Sequence, residues 1–147
     1  MTAGDRIADL EAVRDLALRF AAGLDREDRE LLRSVFWPDA TDDHGRLFSG
    51  LAWDFADVVL TRRGRVRPTL HCVFNHRVWF GDDPDRAAGE VYSTGYQFRH
   101  AAVPPSTRVV VGRYLDDYER RHGEWRIRHR QYVLDGMLTE APQETSA

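Results

Sequence analysis

Lysine is absent from this 147-residue chain: all 21 basic residues are arginine. That absence removes a lysine Schiff base and any phosphate loop of Walker type, since both chemistries need a lysine amine. Cysteine occurs once, as Cys72. No internal disulfide can form, which fits a reducing cytoplasm, and Cys72 reads as a small buried hydrophobe rather than a nucleophile. The apolar runs are only a few residues long, against the roughly 20 that a membrane-spanning helix needs. The opening Met1-Thr-Ala-Gly-Asp-Arg6 has no apolar segment of signal-peptide type. These absences together lead to an expected cytoplasmic location with no membrane partner. Charge of one sign is missing too. The net charge is -3, and with the arginines interspersed among Asp and Glu no footprint for nucleic acid emerges. The densest basic patch, residues 62–67, reads as a solvated loop.

Several catalytic devices are likewise missing. The histidine pairs 71/76 and 122/129 do not fall in a zinc spacing of the His-Glu-x-x-His kind, so no metal is expected. No serine sits in a nucleophile elbow, and no glycine-rich loop follows a strand to hold a dinucleotide. The expectation is chemistry without a cofactor.

What is present describes an ordinary globular chain, 42% hydrophobic and 11% aromatic, long enough for one real core but not for two full-sized domains. We expect a single domain over 1–147, with its core at about 7–138 and a polar tail at 139–147. Ile7, Leu10, Val13, Ala17, Phe20 and Leu24 recur every three or four residues, the apolar stripe of an amphipathic helix. Gly23 marks its expected end. A second helix is predicted over about 27–36, stopped by Trp37-Pro-Asp39. Residues 39–45, with Asp39, the Asp42–Asp43 pair and His44, suit a short strand and turn. A third helix is predicted over 51–62, where Trp53, Phe55, Val58 and Val59 supply apolar surface. From residue 69 onward the period changes from helical to alternating. Four strands are predicted at 69–80, 87–100, 108–121 and 124–138, broken by hairpin-like turns and by one longer loop at 101–106. Helices followed by antiparallel strands make an α+β architecture. A curved sheet wrapped around one long helix leaves a conical pocket for a small, mostly apolar ligand.

The strand at 69–80 carries His71, Asn75 and His76 among bulky apolar residues. Alternation places His71, Val73 and Asn75 on one face and Cys72, Phe74 and His76 on the other. With Asp25 at the end of the long helix and the hairpin Gly112-Arg-Tyr…Gly123-Glu-Trp-Arg-Ile127, this combination resembles the SnoaL-like branch of the nuclear transport factor 2 (NTF2)-like superfamily. That is the branch with the scytalone dehydratase and hexachlorocyclohexane dehydrochlorinase type of enzyme. The resemblance spans about Ile7 to Met137 and implies the NTF2-like conical fold. A mixed or antiparallel sheet would wrap around a long N-terminal helix and two shorter ones.

In several lyases and isomerases of that superfamily, an Asp at the end of the first helix and a His on the first long strand form a dyad. Asp25 and His71 are the matching positions. The implied roles are His71 as general base and Asp25 as the carboxylate that fixes its tautomer. Asp25 also suits an N-cap for the second helix, and both readings stay open from sequence. Expected pocket neighbours are Tyr96, Asn75, Trp53 and either His129 or Arg130, since one bulge would exchange the last two. Leu24 and Phe20 stand where the dehydratase and the dehydrochlorinase carry a tyrosine and a lysine, which argues against either exact activity.

The expected function is a cofactor-independent dehydratase or double-bond isomerase acting on a small cyclic polyketide-, steroid- or aromatic-type substrate. Two alternatives accompany it. One is a non-catalytic ligand-binding or accessory module, because the fold serves both purposes. The other is an epoxide hydrolase or cyclase, for which the Asp42–Asp43 pair and Asp135 are the additional carboxylates. Aromatic outer strand faces suit a homodimer or homotrimer.

Overall fold

The computed structural model describes residues 3–62, 68–99 and 105–140. Residues 63–67 of the expected basic loop, residues 101–104 of the longer loop and the tail beyond Glu140 lie outside them. The elements are α1 (Ala3–Arg26), α2 (Arg29–Ser34), β1 (Phe36–Asp43), β2 (Ser49–Leu51), α3 (Ala52–Arg62), β3 (Thr69–Phe80), β4 (Arg86–Arg99), β5 (Ser106–Arg121) and β6 (Glu124–Glu140). Six strands form one curved sheet in the order β2-β1-β6-β5-β4-β3. Among the described residues only the β1–β6 pair is parallel. This is the α+β, NTF2-like arrangement.

Helix α1 lies on the concave side and buries Val13, Leu16, Ala17, Phe20 and Leu24, whereas Ile7 is exposed. Burying a Leu or Phe side chain is worth about 1.5–3 kcal/mol, so this stripe outweighs any single polar contact of the helix. The start of α1 is tied to the β5–β6 hairpin by Asp9. Its Oδ1 accepts from Trp125 Nε1 at 2.8 Å and from Arg120 Nη1 at 2.9 Å.

The helix does not stop at Gly23 but runs on to Arg26. Gly23 instead permits close approach, because a Cβ there would sit 2.9 Å from Leu32 Cγ. The chain turns at Glu27, with φ of 55°. Asp28 then caps α2, its Oδ1 accepting from the Leu31 amide at 2.9 Å. The cap is therefore Asp28, not Asp25. Helix α2 also ends earlier than its pattern predicts, at Ser34, because Phe36 opens β1 as a fully buried strand residue. Pro38 falls within the irregular stretch of the β1–β6 register, between Phe36 and Thr41, where a missing amide donor is tolerated.

Two bulges decide which side chains face inward. In β3 the register shifts between Val73 and His76. Asn75 is exposed there, while Val73, Val78 and Phe80 pack on the core. His76, expected outside, turns in: the Tyr118 hydroxyl donates to Asp116 Oδ2 at 3.0 Å and accepts from His76 Nε2 at 3.2 Å. In β6 the register shifts opposite Asp117 and Tyr118. Trp125 and Ile127 point inward, and after the shift it is Arg130, not His129, that does so.

Arg130 and Asp116 are both fully buried and bonded twice, Nε to Oδ1 and Nη2 to Oδ2, each at 2.7 Å. The guanidinium also lies 4.3 Å from the Phe20 ring centroid and 4.1 Å from that of Tyr114. Burial alone would lower the Arg130 pKa, but Asp116 more than offsets this and holds it above its ordinary value. On the opposite, convex face of the sheet Leu70, Trp79, Tyr92 and Val111 remain exposed, and Cys72 is half-buried rather than buried. Among the described residues no helix is long and apolar enough to cross a membrane.

Candidate active site

Strand register builds one wall of a cavity of about 310 Å³. Residues directly opposite one another on paired strands face the same side. Thr69 pairs with Gln97 and Gln97 with Arg108; His71 pairs with Gly95 and Gly95 with Val110. All six line the cavity, together with Ser93 and Tyr114. The other walls are Leu24 from α1, Phe55 and Val59 from α3, His44 and Leu47 from the β1–β2 turn, and Tyr132 from β6. The lining is mainly apolar with a few convergent polar groups, the usual character of a small-molecule site.

Asp25 reaches this wall from the last turn of α1 and accepts three hydrogen bonds there. Oδ2 takes the His71 backbone amide at 2.8 Å, while Oδ1 takes the Thr69 hydroxyl at 3.1 Å and contacts His71 Nδ1 at 2.6 Å. An ionised carboxylate is acceptor-only, so Nδ1 is the protonated nitrogen and Nε2 carries the ring's lone pair. Both side chains are mostly buried, 12% exposed for His71 and 21% for Asp25. Gly95 makes room for the ring: a Cβ there would lie 3.1 Å from His71 Nε2. Asp25 at the C-terminal end of α1 meets a helix dipole that disfavours its charge, and three donors offset this.

The remaining site expectations divide. Arg130 faces inward, yet it is fully buried behind Tyr114 and spent on Asp116. Tyr96 does not face the cavity. It pairs with Leu70 and Val109 on the convex side and stacks on Phe98, because the inward residues of β4 are Ser93, Gly95 and Gln97. His129 lies on the convex side as well, its Nδ1 2.7 Å from Thr41 Oγ1, and the β3 bulge turns Asn75 out to solvent. Trp53 joins α3 to α2, its Nε1 donating to the Arg33 carbonyl at 3.1 Å. Asp135 is held by Arg113 at 2.9 and 3.0 Å, and Asp43 accepts the Gly45 amide in the β1–β2 turn.

In their place the cavity has His44, Tyr114, Tyr132, Ser93, Gln97 and Arg108. Period two along β4 would have found Ser93 and Gln97 once the inward face was taken as that of Gly95 rather than that of Tyr92 and Tyr96. Arg108 Nε is buried with no hydrogen-bond partner among the described residues. Burial holds the Tyr114 and Tyr132 hydroxyls above their ordinary pKa, so both are neutral donors. Among the described residues no group of three or more His, Cys, Asp or Glu is placed to hold a metal ion.

A curved sheet over a long helix, with a mainly apolar cavity and an Asp–His pair at its wall, defines an α+β domain of the NTF2-like class. The chain belongs to the SnoaL-like domain family, whose sequence profile matches residues 5–131. Its backbone is similar to that of a hexachlorocyclohexane dehydrochlorinase, LinA type 2, at a TM-score of 0.84 and 22% identity over 99% of this chain and 98% of that one. A putative scytalone dehydratase from Novosphingobium aromaticivorans superposes at 0.81 with 15% identity, covering 99% of both chains. The LinA type 3 enzyme from Novosphingobium barchaimii gives 0.84 with 20% identity over 95% of each. At these identities the likeness establishes the fold. No curated protein matches the sequence.

Proposed function

We propose that the protein is a cofactor-independent lyase or isomerase that removes a proton next to a carbonyl or comparably electron-poor carbon of a small cyclic substrate. The observation that carries this reading is the Asp25–His71 pair set at the wall of a mainly apolar cavity. His71 Nε2 takes the proton from carbon. The C–H electron pair forms a double bond, and either a β leaving group departs or the carbonyl oxygen becomes an enolate. Asp25 holds the tautomer and stabilises the imidazolium that forms. Arg108, Gln97 and the tyrosine hydroxyls supply donors for the developing oxyanion, where fixed dipoles in a dry site act most strongly. The names of the superposable proteins, a dehydrochlorinase and a dehydratase, support elimination as the reaction type.

Proton abstraction is measured without knowing the physiological substrate. Cyclic ketones such as α-tetralone, incubated with the protein in deuterated water, should exchange their α-protons, as followed by NMR. His71→Gln should lower that exchange by about 100-fold or more. Wild-type exchange no faster than buffer across such ketones, or a His71→Gln variant as fast as wild type, would refute the proposal.

A further inference from the structure

The cavity holds a second imidazole in a similar clamp. His44 sits in the turn leaving β1, and its Nδ1 is in very close hydrogen-bond contact with Asp42 Oδ1. The His44 side chain is 8% exposed and that of Asp42 0%, and the small exposed part of His44 lines the cavity. Phe55 and Tyr132 stack on the ring, at centroid distances of 4.3 and 4.9 Å and interplanar angles of 16° each. The turn itself is fixed by the His44 amide bonding the Phe48 carbonyl at 2.8 Å, with Gly45 at φ 58°.

A fully buried carboxylate is costly unless a charged or hydrogen-bonding partner compensates it, and His44 is the side chain that hydrogen-bonds Asp42. The surrounding charges show what Asp42 does. Asp42 pairs in register with Arg130 on β6, but Arg130 Nε and Nη2 are committed to Asp116 on β5. From β5 and β6 the nearby titratable groups are therefore Arg130, Asp116, Tyr114 and Tyr132, while α3 contributes the apolar Phe55. One guanidinium thus stands among two carboxylates, and His44 is the group left to neutralise the second.

We infer that His44, clamped by Asp42, is a second catalytic acid–base group, which protonates the leaving oxygen or the distal carbon while His71 removes the proton. The two imidazoles reach one cavity from nearly opposite ends of the sheet, β1 being next to one edge and β3 forming the other. That separation suits an acid and a base acting at two atoms of one ring. In a dehydration, His71 Nε2 takes the α-proton, the C–H pair becomes the double bond, and the β C–O bond breaks. The departing oxygen then takes the Nε2 proton of the His44 imidazolium, whose Nδ1–H stays on Asp42, and leaves as water. One proton is gained by His71 and one lost by His44, and exchange with solvent resets both.

The inference rests on the proposed role of the cavity, and its test separates the two. Proton–nitrogen correlation NMR of the imidazole rings is recorded while α-tetralone is titrated into the protein. We expect His44 and His71 signals to shift together, with both nitrogens of the free His44 ring protonated and Asp42→Asn removing one of those protons. A His71 shift without a His44 shift would overturn the inference alone, and no shift in either ring would overturn both readings. The second measurement uses α-tetralones with hydroxyl or chlorine on the carbon β to the carbonyl, because chloride leaves unprotonated and hydroxide does not. His44→Gln should slow loss of water by about 100-fold or more and loss of chloride by far less. Equal slowing of both would make His44 a structural residue, whereas loss of both in His71→Gln is the signature of the base.

Discussion

Asp25→Asn separates the electronic part of the dyad from its geometry. The amide has the volume of the carboxylate but only one acceptor oxygen, against three donors that now converge on Asp25: the Thr69 hydroxyl, the His71 amide and His71 Nδ1–H. If the amide oxygen replaces Oδ1, its NH2 confronts the His71 backbone N–H, 2.8 Å away in the wild type. If it replaces Oδ2, the NH2 must donate to His71 Nδ1, which forces the ring proton to Nε2 and removes the lone pair from the cavity. Either arrangement leaves a part-buried donor unsatisfied or a charge-assisted bond lost, about 1–3 kcal/mol. In a chain of this size that lowers Tm by roughly 2–4 °C per kcal/mol. Turnover should fall much further. The same exchange in a serine-protease triad keeps the geometry, inverts the tautomer and costs about 10⁴ in kcat, and we expect a loss of that order here. The control is Thr69→Val, which deletes one hydroxyl bond to the same carboxylate, about 1.5–3 kcal/mol for a bond to a charged group, without touching the tautomer. Thermal denaturation with α-proton exchange on all three proteins decides the matter. An Asp25→Asn variant within tenfold of wild type, or equal losses from Asp25→Asn and Thr69→Val, would reduce Asp25 to a tie between α1 and β3.

Arg130→Met should destabilise the protein by about 3–5 kcal/mol because it strands the buried Asp116. Arg130→Met combined with Asp116→Leu should recover most of that loss; chemical denaturation with an unchanged m-value is the measurement, and a double variant no better than the single one would show that the pair is not coupled. A third expectation concerns pH. Burial pushes the His76 imidazole below its ordinary pKa, Arg14 and Arg130 act in the same direction, and Asp116 opposes them. The unfolded chain therefore binds the proton more readily, so stability should be at its full value above about pH 6.5 and decline as pH falls below it. His76→Gln should flatten the denaturation midpoint over that window, and parallel wild-type and variant curves would contradict this.

The elements themselves are well written in the sequence because their patterns are local. Val13, Ala17, Phe20 and Leu24 keep helical spacing, and β3 to β6 alternate over 12 to 17 residues each, so their existence needs no tertiary information. Facing is another matter. A period-two pattern carries its phase only as far as the next bulge, and a one-residue shift exchanges every later side chain. The shift between Val73 and His76 exchanged Asn75 for His76, and the one opposite Asp117 exchanged His129 for Arg130. The contact of Asp25 with His71 was within reach for a different reason. Asp25 and His71 lie 46 residues apart, and no local pattern joins them, so the family resemblance alone could pair them. The same resemblance points away from Asp42 and His44, although these two are the easier pair physically. They are two residues apart at a strand end and so share a face, and both are aimed inward. Buried carboxylates require a partner; an Asp-x-His at the inner end of a predicted strand is therefore a signal in its own right, and it is the one a family template leaves unread.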